Sequence, residues 1–292
     1  MNRALAAALI VAAVPVVAAR QPLSEDDVLA WAREHAVTLH GQAAVIVAEE
    51  HSRQEAIAFR LPSRSRAAPP PGPMRLARLI TGDLILMRLP GAPGWLTLRD
   101  IYEVDEEVVG ERTDRVLNLV IESREAALAE APFIYDDAGR HTLGNMPRVI
   151  SMPTLALVAL HPGYAARFRI RPRGVERIDG RTARVFEFEE TGRPTLIPGP
   201  REAPFPLSGR VSVDQADGVI LKTVTRASAG RLMTGTVTVT YARDPRLEAW
   251  LPVRMQDQYR QSGNPWNYRG ETTYTNYRCY PEGADEPAPG KC

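Results

Sequence analysis

Lysine is almost missing from this sequence. Lys222 and Lys291 are its only two, and every other basic side chain is Arg. There is no excess of either sign: 36 basic and 35 acidic residues leave a net charge of +1. That excludes a nucleic-acid or polyanion binder working through bulk charge. With 25 prolines, the preference for Arg reads as a high-GC bacterial codon bias. Cysteine is nearly absent too, with Cys279 and Cys292 alone. Two thiols with no histidine beside them make no metal site. Beyond residue 19 no apolar run approaches the roughly 20 residues that cross a bilayer, so an integral membrane protein is not expected. H-E-x-x-H, a nucleophile elbow, a Walker loop and a dinucleotide Gly-loop are all lacking, and no cofactor is implied.

Present at the start is an export signal. Met1-Asn2-Arg3 is a short basic opening, residues 4–19 are apolar with one break at Pro15, and Val17-Ala18-Ala19 supplies small residues before Arg20. This pattern is a secretory signal peptide over residues 1–19, which places the mature chain of about 270 residues in the periplasm or outside the cell. No Cys follows the apolar run, so a lipid-anchored N-terminus is not expected. In an exported chain the two cysteines are candidates for a disulfide. Two free thiols are the alternative. The bond would close a loop of about 14 residues and pin the tail, residues 282–292, to the last strand.

The main content is a run of amphipathic strands. From residue 168 to 280, stretches rich in Val, Thr, Tyr and Phe alternate with polar residues. Turn pairs punctuate them at Asp179-Gly180, Asp217-Gly218 and Asp244-Pro245, with Ser262-Gly263-Asn264-Pro265 before the last. This predicts an antiparallel meander with one apolar face. Phe186 and Phe188 share a face, as do Val211 with Val213, Val237, Val239 with Tyr241, and Val253, Met255 with Tyr259. Earlier strands are predicted over residues 43–59, 76–89 (broken at Gly82-Asp83) and 95–104. A helix capped by Ser24 runs to about Leu39. Residues 111–121 read as helix or irregular lead-in. Residues 123–130 and the apolar stretch 154–161 (TLALVALH) are further helices, within a helical insertion spanning about 111–161. Residues 63–73 are a Pro-rich loop. One domain, residues 20–281, holds all of this.

A one-sided sheet must cover its apolar face. The fold class expected is α+β, a long, strongly curved antiparallel sheet (half-barrel) with helices over its concave face. Phe186, Phe188, Val237, Val239 and Tyr241 should then face Leu155, Leu157 and Leu160 of the apolar helix. Wherever helices do not fill the concavity, these residues would line a ligand hollow.

The local wording resembles a known architecture. Residues 177–186 (RIDGRTARVF) look like a strand–DG–strand hairpin. Val213-Asp214 with Asp217-Gly218-Val219-Ile220-Leu221-Lys222 looks like the next one, and Tyr241 through Trp250-Leu251-Pro252-Val253 like the pair that follows. In this the chain resembles the half-barrels of LolA/LolB-type lipoprotein carriers and RseB-type sensors. The resemblance implies a periplasmic, non-enzymatic protein binding a lipid or a lipoprotein acyl chain. Alternatively it implies an envelope sensor or assembly module with a protein partner. A hydrolase acting on envelope material is the third reading.

Chemistry-bearing residues are scattered. His35 and His40 are five apart and do not share a helix face. His51, in Glu49-Glu50-His51, could serve a metal or act as a base, or simply end a polar strand. His161 before Pro162-Gly163 suits a helix C-terminus. Glu187 and Glu189 alternate with the inward Phe residues and should face water, and Asp105-Glu106-Glu107 reads as a turn. Arg167, Arg169, Arg171 and Arg173 form a basic stripe that either meets an anionic head group or pairs with Glu187 and Glu189 across the sheet.

Overall fold

The computed structural model describes residues 23–60, 72–89, 91, 94–110, 114–146, 148–199, 203–288 and 290. The expected signal peptide, most of the expected Pro-rich loop and Cys292 lie outside the described residues. Eleven strands form one open antiparallel sheet. In chain order they are β1 (Val45–Arg60), β2 (Gly72–Arg88), β3 (Trp95–Val104), β4 (Glu107–Val108), β5 (Phe168–Ile178), β6 (Arg181–Glu190), β7 (Leu207–Asp214), β8 (Ile220–Ser228), β9 (Met233–Asp244), β10 (Ala249–Gln261) and β11 (Asn267–Tyr280). Their order in space is β4-β3-β2-β1-β11-β10-β9-β8-β7-β6-β5. The first and last long strands meet where β1 pairs with β11, Ile46 opposite Cys279 and Ser52 opposite Thr272. This is the curved α+β half-barrel expected.

The hairpins form where the turn chemistry puts them. Asp179 and Gly180 both take positive φ, 47° and 79°, the two-residue turn that matches strand twist. Gly82 does not break β2; the strand runs through it. A Cβ there would lie 2.6 Å from the Asp100 carbonyl oxygen, so glycine lets β3 approach at its bulge. Strand β5 runs unbroken from Phe168 to Ile178, bulged between Pro172 and Gly174.

Helix α1 (Glu25–Gln42) begins at Ser24, whose Oγ accepts the Asp27 N–H at 3.1 Å, with three carboxylates in its first turn. Its stripe Val28, Ala32, Ala36 and Leu39 is buried against the concave face of the sheet. The apolar stretch 154–161 also covers that face, but as 3₁₀ turns (Leu155–Ala159, then Pro162–Arg167) rather than an α-helix.

Helices α2 (Arg115–Glu122) and α3 (Arg124–Arg140) share Ser123, which ends one and caps the other. Their buried residues Val116, Val120, Ala127, Ala131 and Ile134 pack on Val45, Val47, Ile85, Met87 and Leu98. Those positions alternate with the concave residues Ile46, Ala48, Leu84 and Leu86. The α2–α3 pair therefore backs the outer face of β1–β3, while α1 and the 3₁₀ turns fill the inner one. Helices α2 and α3 thus form a second, smaller core, while residues 143–160 belong to the main one.

Candidate functional site: a cavity with a charged floor

The inner face of β1 changes character along its length. Ile46 and Ala48 are apolar, and the next three inward residues are Glu50, Ser52 and Gln54. Register carries this polarity across the sheet. Ser52 faces Thr272 on β11, their hydroxyls 3.0 Å apart. On β10 the inward row is Met255, Asp257 and Tyr259. Above this floor the sheet encloses a cavity of about 1100 Å³. Its walls are apolar, with Ile80, Ile101, Met146, Met152, Ile197 and Met255 among them. The C-terminal turn of α3, at Tyr135 and Arg140, forms part of its rim.

Two ion pairs stand on the floor. Arg99 of β3 donates through Nε to both oxygens of Glu50, at 2.9 and 3.0 Å, and Nη2 donates to the Ser151 carbonyl at 2.8 Å. Burial alone would weaken the Arg99 charge. Glu50 beside it, with the Tyr274 hydroxyl, more than reverses this and raises its pKa. The second pair is Arg148 with Asp257, both side chains 9% exposed or less. Gly270 makes room for it. A Cβ at 270 would sit 2.5 Å from Asp257 Oδ1 and 2.7 Å from Arg148 Nη1.

Residues 148–153 cross the concavity as a strap tied at Arg148, Ile150, Ser151 and Pro153. Arg148 holds Asp257, the Ile150 N–H donates to the Tyr259 hydroxyl at 3.2 Å, and Ser151 Oγ donates to Asp257 Oδ2 at 2.7 Å. Ser151 Oγ and the Tyr259 hydroxyl lie 2.8 Å apart. The Tyr241 hydroxyl donates to the Pro153 carbonyl at 2.7 Å. The strap separates the cavity from the packed core beyond it.

No family model and no curated protein matches the chain. Among solved structures it is similar to a LolA superfamily protein from Nitrosomonas europaea, 11% identical over 90% of this chain and 96% of that one, with a TM-score of 0.33. It is similar also to a DUF1329 family protein from Desulfovibrio piger, at 9% identity, 88% and 95% coverage and a TM-score of 0.34. A third is the Pseudomonas aeruginosa MucA/MucB complex, at 10% identity, 87% and 99% coverage and a TM-score of 0.20.

The eight residues expected to line a hollow lie in the packed part of the concavity. Phe186, Phe188, Val237, Val239, Tyr241, Leu157 and Leu160 are buried together in the main core, with Leu155 half-buried against it. They face inward as their alternation requires. At that end, however, α1 and the 3₁₀ turns fill the concavity, and none of the eight lines the cavity. The residues that do line it carried a signal in the sequence. Asp257 stands in the inward phase of an otherwise apolar strand, and Glu50, Ser52 and Gln54 continue the inward phase of Ile46 and Ala48. Arg99 and Arg148 had no such mark, because their role depends on which strand or strap lies opposite.

The other chemical candidates are accounted for locally. His51 Nε2 lies 3.0 Å from Glu49 on the outer face. His161 caps the turn that follows it, its Nδ1 accepting the Gly163 N–H at 3.1 Å. Burial and then nearby His40 lower its pKa, which suits an accepting ring nitrogen. Glu189 pairs with Arg169 at 3.7 Å and Glu187 with Arg210 at 3.9 Å. Among the described residues no group of three or more His, Cys, Asp or Glu is arranged to hold a metal ion, and no helix is long and apolar enough to cross a membrane.

Proposed function

We propose that this chain is an exported, periplasmic, non-enzymatic protein that binds an amphiphile, a lipid or a lipoprotein acyl chain, in the cavity under the strap. The observation that carries this is the cavity itself, about 1100 Å³ with apolar walls over a buried polar floor. That is at the upper end of the roughly 300–1,000 Å³ of small-molecule sites. The walls suit an acyl chain through ordinary burial of apolar surface, and the floor offers hydrogen-bonding groups to the other end. In this reading residues 1–19 are removed on export, the remaining chain folds as one half-barrel domain, and Cys279 bonds to Cys292.

The test is a cavity-filling variant. Ile101 is a half-buried wall residue on β3, so Ile101→Trp fills space without repacking the main core. Wild-type protein is expected to bind a fluorescent monoacylglycerol, and Ile101→Trp to lose that binding while melting within a few degrees of wild type. A wild-type protein that takes up no acyl probe at micromolar concentration defeats the reading.

A protein partner is the second reading. It is favoured by exposed apolar side chains on the long β1–β2 hairpin, Phe59 at 62% on the outer face and Leu76 at 50% on the inner one, since exposed apolar surface can mark protein contacts. Co-purification that depends on Phe59 but not on Ile101 would favour it.

A further inference from the structure

The cavity carries its charges in matched pairs, and we infer that its ligand is an acyl amphiphile with an uncharged polar end, such as an acylglycerol, and that fatty acids and other anionic amphiphiles are discriminated against. This rests on the amphiphile-binding reading above. The lining contains Arg99, Arg140 and Arg148 against Glu50, Asp136 and Asp257, three charges of each sign. Asp136 and Arg140 are exposed at the rim. The four inner groups are the two pairs already described, Glu50 with Arg99 and Asp257 with Arg148.

A buried guanidinium without a carboxylate would attract a carboxylate or phosphate head. Here that place is taken. An anion arriving beside Arg99 meets Glu50 already within 3.0 Å of the guanidinium. It gains one attraction, suffers one repulsion, and loses its water in the process. Nor can the second pair rearrange to receive it. Arg148 and Asp257 are wedged against the Gly270 backbone, where not even a Cβ would fit, and Asp257 is held again by Ser151. An ester or hydroxyl head has no such cost. It needs hydrogen-bonding partners, and the floor offers the hydroxyls of Ser52 and Thr272 and the outer lone pairs of the two carboxylates.

The experiment compares monoolein with oleate, which share one chain and differ in the head, by competition against the fluorescent monoacylglycerol at pH 8. Wild-type protein is expected to bind monoolein at least ten-fold more tightly than oleate. Glu50→Gln keeps an acceptor for Arg99 but removes the opposing charge, and should raise oleate affinity at least ten-fold relative to monoolein. The double variant Glu50→Gln/Arg99→Gln removes both charges and should return the wild-type preference, which a change of shape alone would not do. Asp257→Asn tests the second pair independently should Glu50→Gln fail to fold, judged by its melting curve. Oleate bound as tightly as monoolein by the wild type overturns the inference and leaves the amphiphile reading standing. A folded Glu50→Gln protein with an unchanged ratio overturns it as well. Binding of neither ligand overturns both.

Discussion

Tyrosines hold the inner face together through their hydroxyls. Tyr241, Tyr259, Tyr274 and Tyr277 are all buried, on three adjacent strands. Burial is the largest cause in each case, and it pushes each phenol above its ordinary value, near 10. The folded state therefore keeps these protons at a pH where the unfolded chain has released them. Their contribution to stability is complete below about pH 10 and is lost as the pH rises from there toward the folded values. Each adds a slope of up to ~1.4 kcal/mol per pH unit. Urea unfolding between neutral and alkaline pH should show a fall in stability beginning near pH 10, shallower in Tyr241→Phe by one such step. A flat profile would mean that these phenols ionise freely in the folded protein. At neutral pH, Tyr259→Phe is expected to cost about 1–3 kcal/mol, since it strands the Ile150 N–H and takes a partner from Ser151 in a buried place.

Elements were legible in proportion to how much of their pattern is local. Much of the alternation of strands β6 to β11 is local, strictest over residues 234–241, and turn residues punctuate it, so their existence and most of their inward faces could be read directly. Their limits moved by a few residues, since edge residues pair only once the neighbouring strand is in place. The helix expected over 123–130 runs ten residues further, to Arg140, because Pro132 lies on an exposed side of α3 and is tolerated there. The stretch 154–161 read as a helix by apolar content, yet the strap before it fixes its entry and it closes as 3₁₀ turns. Least legible was where the concavity is full and where it is open. That depends on α1 and the 3₁₀ turns reaching one end of the sheet and not the other, a long-range fact with no trace in alternation. Gly209 illustrates the same limit within one strand. A Cβ there would run into the Val224 carbonyl oxygen of β8 and lie 2.8 Å from the Phe188 ring. Gly209→Ala is expected to destabilise by about 2–4 kcal/mol through backbone displacement. Gly41→Ala, in the last turn of α1 with open space around it, should be neutral or stabilising by up to ~1 kcal/mol. Chemical denaturation of the pair distinguishes close strand approach from a general intolerance of alanine.

At the scale of the molecule, the first and last long strands are neighbours inside the open sheet at β1–β11, and the C-terminal tail lies over that junction. The Ala288 N–H donates to the Cys279 carbonyl at 2.7 Å. Glu282 accepts from Arg88 at the end of β2 and from Arg124 at the start of α3. The tail thus joins the inner strands to the outer-face helices. Arg124 and Arg88 hold the Glu282 carboxyl below its usual range, but the pairs are exposed and contribute little on their own. A bond between Cys279 and Cys292 would make the junction covalent. Cys279 is wholly buried at the end of β11, so the bond would close a loop of about 14 residues and add roughly 3 kcal/mol in the chain-entropy account. For a domain of this size that corresponds to a melting temperature higher by roughly 6–10 °C. Protein recovered from the periplasm should show no reactive thiol when denatured without reductant. It should melt that much lower after reduction, whereas Cys292→Ala, which leaves the buried thiol in place, should already melt at the lower temperature and not respond to reductant. Two reactive thiols in the unreduced protein would leave the tail held by Glu282 and the Ala288 hydrogen bond, and the tail would then be expected to fray well before the sheet.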